Sequence, residues 1–390
     1  MNHQLPDRIP NGLGGCETTG MHIIAYDNLQ RALGCAPQPP RMDTFMVNAV
    51  FEEPVIRAMD GDIILLASPN MCASQLRGEV SAQWKEQRLW GRTFRVPVSE
   101  QFRENPDGST DWVTTGLHCP KDTFYFDGIP QGDLLDDFEL PDPDKFHPEG
   151  TIREDTLRRL EEQAKHLYET TDLSICLGES IRDLQVSPAG MIGTMILMKE
   201  EPEIMHAFLD KCVDAALQQL VLLEQAVGKY VDILSIAHDL GDNRGVMVGA
   251  PLWRKIYKPH YRRLCEGLHR ITGMKLNLHS CGSIHEILGD LIECGVDIIN
   301  PVQTSAANMD IGRLKEDFGR DVIFWGGAYD AQLISADEDY AQVYQKVYRN
   351  IKALGQGGNY IFAGVHNLPA NLPESHAKAM IDAYKDARVY

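Results

Sequence analysis

Short apolar runs alternate with helical stretches along the chain beyond Pro148, and few folds accept that pattern. The runs are LSICL (173–177), VDILSIA (231–237), MKLNLH (274–279), VDIIN (296–300), DVIFWGG (321–327) and NYIFAG (359–364). Helical patterns fill the intervals: a charged one over 151–171, then 202–227, 252–272, 284–294, 310–318, 337–354 and 373–388. In the 202–227 stretch Ile204, Phe208, Cys212, Ala216 and Leu220 recur at helical spacing on one face. Near-continuous apolar strands alternating with helices indicate a parallel sheet covered by helices. Polar residues decide whether that sheet is open or closed. They stand at the carboxyl ends of five runs: His238 and Asp239, His279 and Cys281, Asn300 and Gln303, Tyr329 and Asp330, His366 and Asn367. In a (β/α)8 barrel such ends converge on one mouth, whereas an open sheet strings them along an edge. The expected fold is therefore α/β, a closed (β/α)8 barrel.

The first 150 residues read differently. Residues 151–390 are expected to supply the main part of the barrel and its site, with 1–150 as an amino-terminal extension packed on it in one structural domain. Met42 to Leu66 reads as a helix running into a strand. Trp90 to Asp127 is rich in aromatic and β-branched residues, and NPDG (105–108) marks a turn between TFRVPV and TDWVTT. A β-hairpin insertion follows, suited to lidding the barrel or docking a partner.

Charge narrows the partners. Lys+Arg is 37 against Asp+Glu 56, a net −19, and so acidic a surface repels nucleic acid. No apolar run reaches the roughly 18 residues of a membrane span, and the opening residues carry neither a basic start nor an apolar stretch, so no secretory signal is expected. Nine scattered cysteines without a CxxC pair point to reduced thiols in a cytoplasm.

The sharpest local signal is LNLHSCGSIHEIL (276–288). His279 and Cys281 lie two apart at a strand end, so alternation points both the same way. Imidazole nitrogen and thiolate sulfur are zinc donors, and together they make half a tetrahedral site. His366, at the end of the last run, is the natural third donor, with Asp239 and Gln303 as weaker alternatives. Three protein donors leave a position open for a substrate atom, as in catalytic rather than structural zinc. Asp239 and Asp242 share a Gly-containing loop; Asp239 is suited to orienting a histidine, binding substrate or moving protons, while Asp242 fits turn chemistry. His118 and Cys119 point apart in an extended segment, and GLGG (12–15) and GQGG (355–358) lack the lysine of a phosphate loop.

These residues resemble a known family. The stretches 231–264, 278–319, 324–334 and 357–384 are similar to the carboxyl half of the uroporphyrinogen decarboxylase superfamily, whose fold is a TIM barrel. ETTGMHIIAYDNLQRALG (17–34) and the aromatic-rich 90–127 region resemble its corrinoid-dependent methyltransferase branch, of the type that demethylates methoxylated aromatics. That branch binds zinc through an HxC pair, matched by His279 and Cys281, and a later Cys, where this chain has His366. The resemblance implies a zinc-dependent methyltransferase moving methyl from an aryl methyl ether to Co(I) of a separate corrinoid (cobalamin) protein. Asp239, Asn300, Gln303 and Asn367 would orient the reactants, and Tyr26, Phe126, Trp325 and Tyr329 would wall the aromatic ring. One alternative is a methylcobalamin:thiol methyltransferase of the coenzyme M kind. Another is a decarboxylating lyase, against which stands the absence of the family's arginine-bearing RQAGR-type segment: the corresponding region reads NGLGGCETTG. The sequence leaves the oligomeric state open, homo-oligomers included.

Overall fold

The structure, a computed structural model, describes residues 5–35, 38–43, 46–66, 83–127, 140–182 and 184–390. Seven strands run parallel in one sheet, in the order Ile63–Leu66, Ser174–Leu177, Ile233–Ala237, Lys275–His279, Ile298–Asn300, Ile323–Trp325 and Tyr360–Ile361. The two edges of that sheet meet on an extended segment at Asn11. Asn11 bridges Phe362 in parallel; Gly12 N–H donates to Phe362 O at 2.9 Å and Phe362 N–H to Pro10 O at 2.8 Å. On its other side, Asp62 N–H donates to Asn11 O at 2.8 Å. The segment is an eighth stave, and the sheet is a closed TIM barrel. Two staves thus precede residue 150, so the barrel draws on both sides of the boundary expected from sequence texture.

Strand parity sorts the apolar residues into two layers. Ile63, Cys176, Ile233, Ile298, Trp325, Ile361 and Ala363 point inward and form one buried cluster with Cys16. Their alternates, among them Ile64, Ile175, Leu234, Leu278, Ile299 and Phe324, belong to the larger core shared with the helices. Both faces of each strand are buried, which is why the runs read as continuous. The Pro202–Val227 helix keeps its expected bounds. The expected helix over 252–272 is two, Ala250–Ile256 and Lys258–Ile271. Pro259, in the first turn of the second helix, supplies no N–H with which to continue the first. Among the described residues no helix is long and apolar enough to cross a membrane and every cysteine is a free thiol; Cys72 lies outside them.

The amino-terminal part corrects two expectations. Over Met42–Leu66 the helix is confined to Glu53–Ala58, because Met42–Asp43 and Asn48–Ala49 pair antiparallel and brace the start of the Ile23–Ala32 helix, with Ile23 N–H donating to Val47 O at 3.0 Å. In the insertion, NPDG joins Phe102–Glu104 to Thr110–Trp112, not TFRVPV to TDWVTT. TFRVPV is already used: Arg92–Pro97 folds back on Trp84–Leu89 through Trp90 and Gly91, both at positive φ (50° and 75°), as a tight two-residue hairpin requires. The insertion is anchored to the barrel by Arg92, which reaches Asp27 (2.5 Å) and Asn28 (2.8 Å). His22 is the second anchor. Its Nε2–H donates to Phe124 O at 2.9 Å while Nδ1 accepts Ile24 N–H at 3.2 Å.

Two predictions follow from this architecture. A Cβ on Gly12 would stand 2.5 Å from Trp325 Nε1, so Gly12→Ala should lower the unfolding free energy by about 2–3 kcal/mol, and Trp325→Phe in the same chain should recover part of it; urea titration measures both. Burial holds His22 down at about 4. The unfolded chain binds its proton first, so stability is full above pH 6.5 and falls between about 6.5 and 4, by up to about 3 kcal/mol from this group. Urea midpoints across that window should be flatter for His22→Gln than for the wild type.

Candidate metal centre at the barrel mouth

Parity places Asn277 and His279 on the inner face of the Lys275–His279 strand, and Cys281 follows beyond its end. Gly282, at φ +84°, lets the chain turn there: a Cβ on it would meet Gly241 C at 2.4 Å. Two loops therefore press together at the mouth, closed by Ser283 N–H to Asp242 O at 2.8 Å.

Asn300 sets the histidine. Its Nδ2 donates to the Trp325 carbonyl at 3.0 Å, an oxygen that only accepts, so the other amide atom, Oδ1, faces His279 Nδ1 at 2.7 Å. Thr18 Oγ1 donates to the same Oδ1 at 2.7 Å. His279 must then carry its proton on Nδ1, which leaves the Nε2 lone pair free. That lone pair stands 3.5 Å from Cys281 Sγ. Zinc bonds of about 2.05 Å to nitrogen and 2.3 Å to sulfur, at a tetrahedral angle, put the two donors about 3.5–3.6 Å apart. The pair is already spaced for the ion. His366 completes a set of three whose donor atoms lie within 4.8 Å of one another, its ring 5.2 Å from that of His279 between centroids. It is less ready: Nδ1 accepts Asn367 N–H at 2.7 Å, so the neutral ring holds its proton on Nε2 and must give it up, or turn, to bind a cation.

Burial lowers the pKa of His279 and, with His279 beside it, that of His366 to about 4. Both rings are neutral at pH 7 and offer lone pairs. Burial and then Asp239 push the Cys281 thiol up to about 12, so a cation binding there displaces the thiol proton. Asp239 accepts Cys281 N–H at 2.9 Å and lies 4.0 Å from His279 Nε2, with its side chain half exposed.

The remaining candidates divide. Gln303 accepts Gly282 N–H at 2.7 Å and donates to Asn243 Oδ1 at 2.7 Å, bracing the loop that carries Cys281. Asn367 Oδ1 accepts Gly20 N–H at 2.8 Å, tying the last strand's loop to the first. Asp242 accepts Arg244 N–H and Gly245 N–H at 2.7 and 2.9 Å, the turn chemistry expected of it. The four aromatic positions are scattered. Tyr26 is fully buried on the Ile23–Ala32 helix against Phe51. Phe126 packs on Trp112 and Phe102 in the insertion. Trp325 points into the apolar barrel interior, its Nε1–H on Gly12 O at 3.3 Å. Tyr329 is buried with its hydroxyl 3.0 Å from His376 Nδ1. None of the four lies against another as a common wall. Sequence reading missed Thr18, for which TT in CETTG gives no signal without the first stave.

Asn300 holds this arrangement by three hydrogen bonds. Asn300→Leu should leave Thr18 and His279 Nδ1–H unpaired and cost about 2–4 kcal/mol, whereas Thr18→Val removes one donor and should cost about 1 kcal/mol; urea denaturation separates them.

No curated protein sequence is a match for the chain. Among solved structures it is similar to a methyltransferase from Methanosarcina mazei, at 13% identity and TM-score 0.53, over 98% of this chain and 95% of that one. It is also similar to a GH113 β-1,4-mannanase, at 11% identity and TM-score 0.34, over 61% and 80% of the two chains. The first likeness is one of fold; the second carries no argument. Residues 187–387 match the family profile described as uroporphyrinogen decarboxylase. That span is half of the chain and contains all three candidate ligands, and the protein belongs to the uroporphyrinogen decarboxylase family.

Proposed function

We propose that the protein is a cytoplasmic zinc-dependent methyltransferase that moves a methyl group from a methoxylated aromatic to Co(I) of a separate corrinoid protein. The observation that carries this reading is the His279 Nε2–Cys281 Sγ separation of 3.5 Å, with the Nε2 lone pair freed by Asn300. A structural zinc would want four protein donors; three at the open mouth of a barrel suit a catalytic one. The fold shared with the Methanosarcina mazei methyltransferase supports the class.

His279, Cys281 and His366 would hold the ion. When bound, zinc supplies a Lewis acid for the ether oxygen, stabilising the charge that develops as the phenolate leaves. The chain's own residues set the stage. Asn300 keeps His279 in the ligating tautomer, and Gln303 braces the loop of Cys281. Asp239 holds that loop from the other side and is the nearest carboxylate to receive the thiol proton displaced on loading.

The reading is tested by metal analysis. Protein purified without a histidine tag or chelator should carry about one zinc per chain, lost in Cys281→Ser. Methyl transfer to a corrinoid protein should follow from methoxyarenes rather than from thiols. Wild-type protein that takes up no zinc on reconstitution overturns the proposal.

A further inference from the structure

Beside the candidate metal centre lies a cavity of about 380 Å³, reached by Asp239 alone of the residues assigned above to the chemistry. It sits between the Gly190–Glu200 helix, the loop after the Ile233–Ala237 strand and the Ala250–Ile256 helix. Its walls are methionines 191, 195, 198 and 247 together with Val186 and Val248. The Gly190–Glu200 helix is apolar on all sides: Met198 is buried while Met191 (64%) and Ile192 (48%) remain exposed, which a solvated surface helix does not do without a partner or ligand.

Three polar side chains, Trp253, Tyr257 and His238, line this apolar cavity. Trp253 is fully buried, and its Nε1–H has no acceptor among the described residues. His238 spends Nδ1 on the Tyr261 hydroxyl at 2.9 Å and retains Nε2. A buried unpaired donor costs about 1–3 kcal/mol, so the Trp253 indole N–H calls for a ligand bearing an acceptor. Thioether sulfurs and aromatic faces favour an aromatic ring, and the volume falls within the range of small-molecule sites. Asp239 is the only acidic residue lining the cavity, His238 beside it is held neutral by burial, and among the described residues no Lys or Arg lines it to receive an anion.

We propose that this methionine-walled cavity is the binding chamber for an uncharged aromatic ether or phenol, and that it selects against ring carboxylates. Asp239 lines the cavity and also accepts the Cys281 backbone N–H, so one side chain joins the chamber to the loop that carries Cys281. As a methyl-donor chamber the proposal rests on the methyltransferase reading; as an aromatic-binding site it does not. It replaces the dispersed wall of Tyr26, Phe126, Trp325 and Tyr329 with a contiguous one.

The test uses purified full-length protein carrying [methyl-13C]methionine, with Met195 and Met198 signals assigned through Met195→Leu and Met198→Leu. Guaiacol should shift both signals. 4-Methoxybenzoate should bind at least about tenfold more weakly, the loss expected for an anion beside Asp239 with no cation to meet it. Tyr257→Phe should weaken guaiacol by about three- to tenfold through the lost hydrogen bond. The chamber is overturned if guaiacol leaves both signals in place, or if the carboxylate binds equally well; neither readout depends on how any variant folds. A corrinoid-methylation assay on the same samples keeps the two ideas apart. Shifted methionines without methyl transfer would sustain the chamber and sink the methyltransferase, and transfer with unmoved methionines would do the reverse.

Discussion

The barrel is held shut by one short segment. Asn11 and its neighbours accept and donate on both sides, to Phe362 and to Asp62, and Asn11 N–H is itself held by the Asp62 carboxylate at 2.7 Å. With that stave in place no sheet edge is left, and each strand's alternation resolves into an inner and an outer face. Everything at the mouth depends on it. Thr18 reaches Asn300 because the loop after the first stave is carried over the top of the barrel, and His366 meets His279 because the last strand curls round to the first.

The interior changes character along its axis. Isoleucines fill the lower layer, and Trp325 lies across them with its indole N–H turned to Gly12 O. Above them the same inward parity brings Ser235, Asn277, His279 and Asn300 together, with Asn277 Nδ2 donating to Ser235 Oγ at 2.8 Å. Most of these buried polar groups satisfy one another, and Asn277 Oδ1 is the exception, with no partner among the described residues. Asn300 does most here: it orients His279, takes a hydroxyl from the first loop and caps a carbonyl of the next strand.

How much of this was legible in the sequence follows from where each residue's partners lie. His279 and Cys281 could be paired from a spacing of two, a local property of any strand. The strand ends could be gathered into one mouth because five polar termini in a row exclude most open sheets. The first stave could not be read. NGLGG has no apolar run, and its pairing is fixed by residues up to 351 positions away, as Phe362 and Asn11 are. Thr18 was lost with it. The four aromatic residues are dispersed for a different reason: Tyr26 sits on a helix whose inner face serves the core, and Trp325 takes the inward parity at the apolar level of the barrel. The methionines that line a cavity drew no reading, since periodicity alone does not say what a helix faces.

The closing stave also imposes an order of events on synthesis. From Ile63 to Tyr360 each barrel strand can pair with one already made, so the sheet grows by accretion. Asn11 is made before every other barrel strand, yet one of its two neighbours, Phe362, follows it by 351 residues. Throughout translation the growing sheet therefore carries an unpaired strand edge, the kind of surface on which nascent chains stick to one another. The long insertion between the second and third staves prolongs that interval.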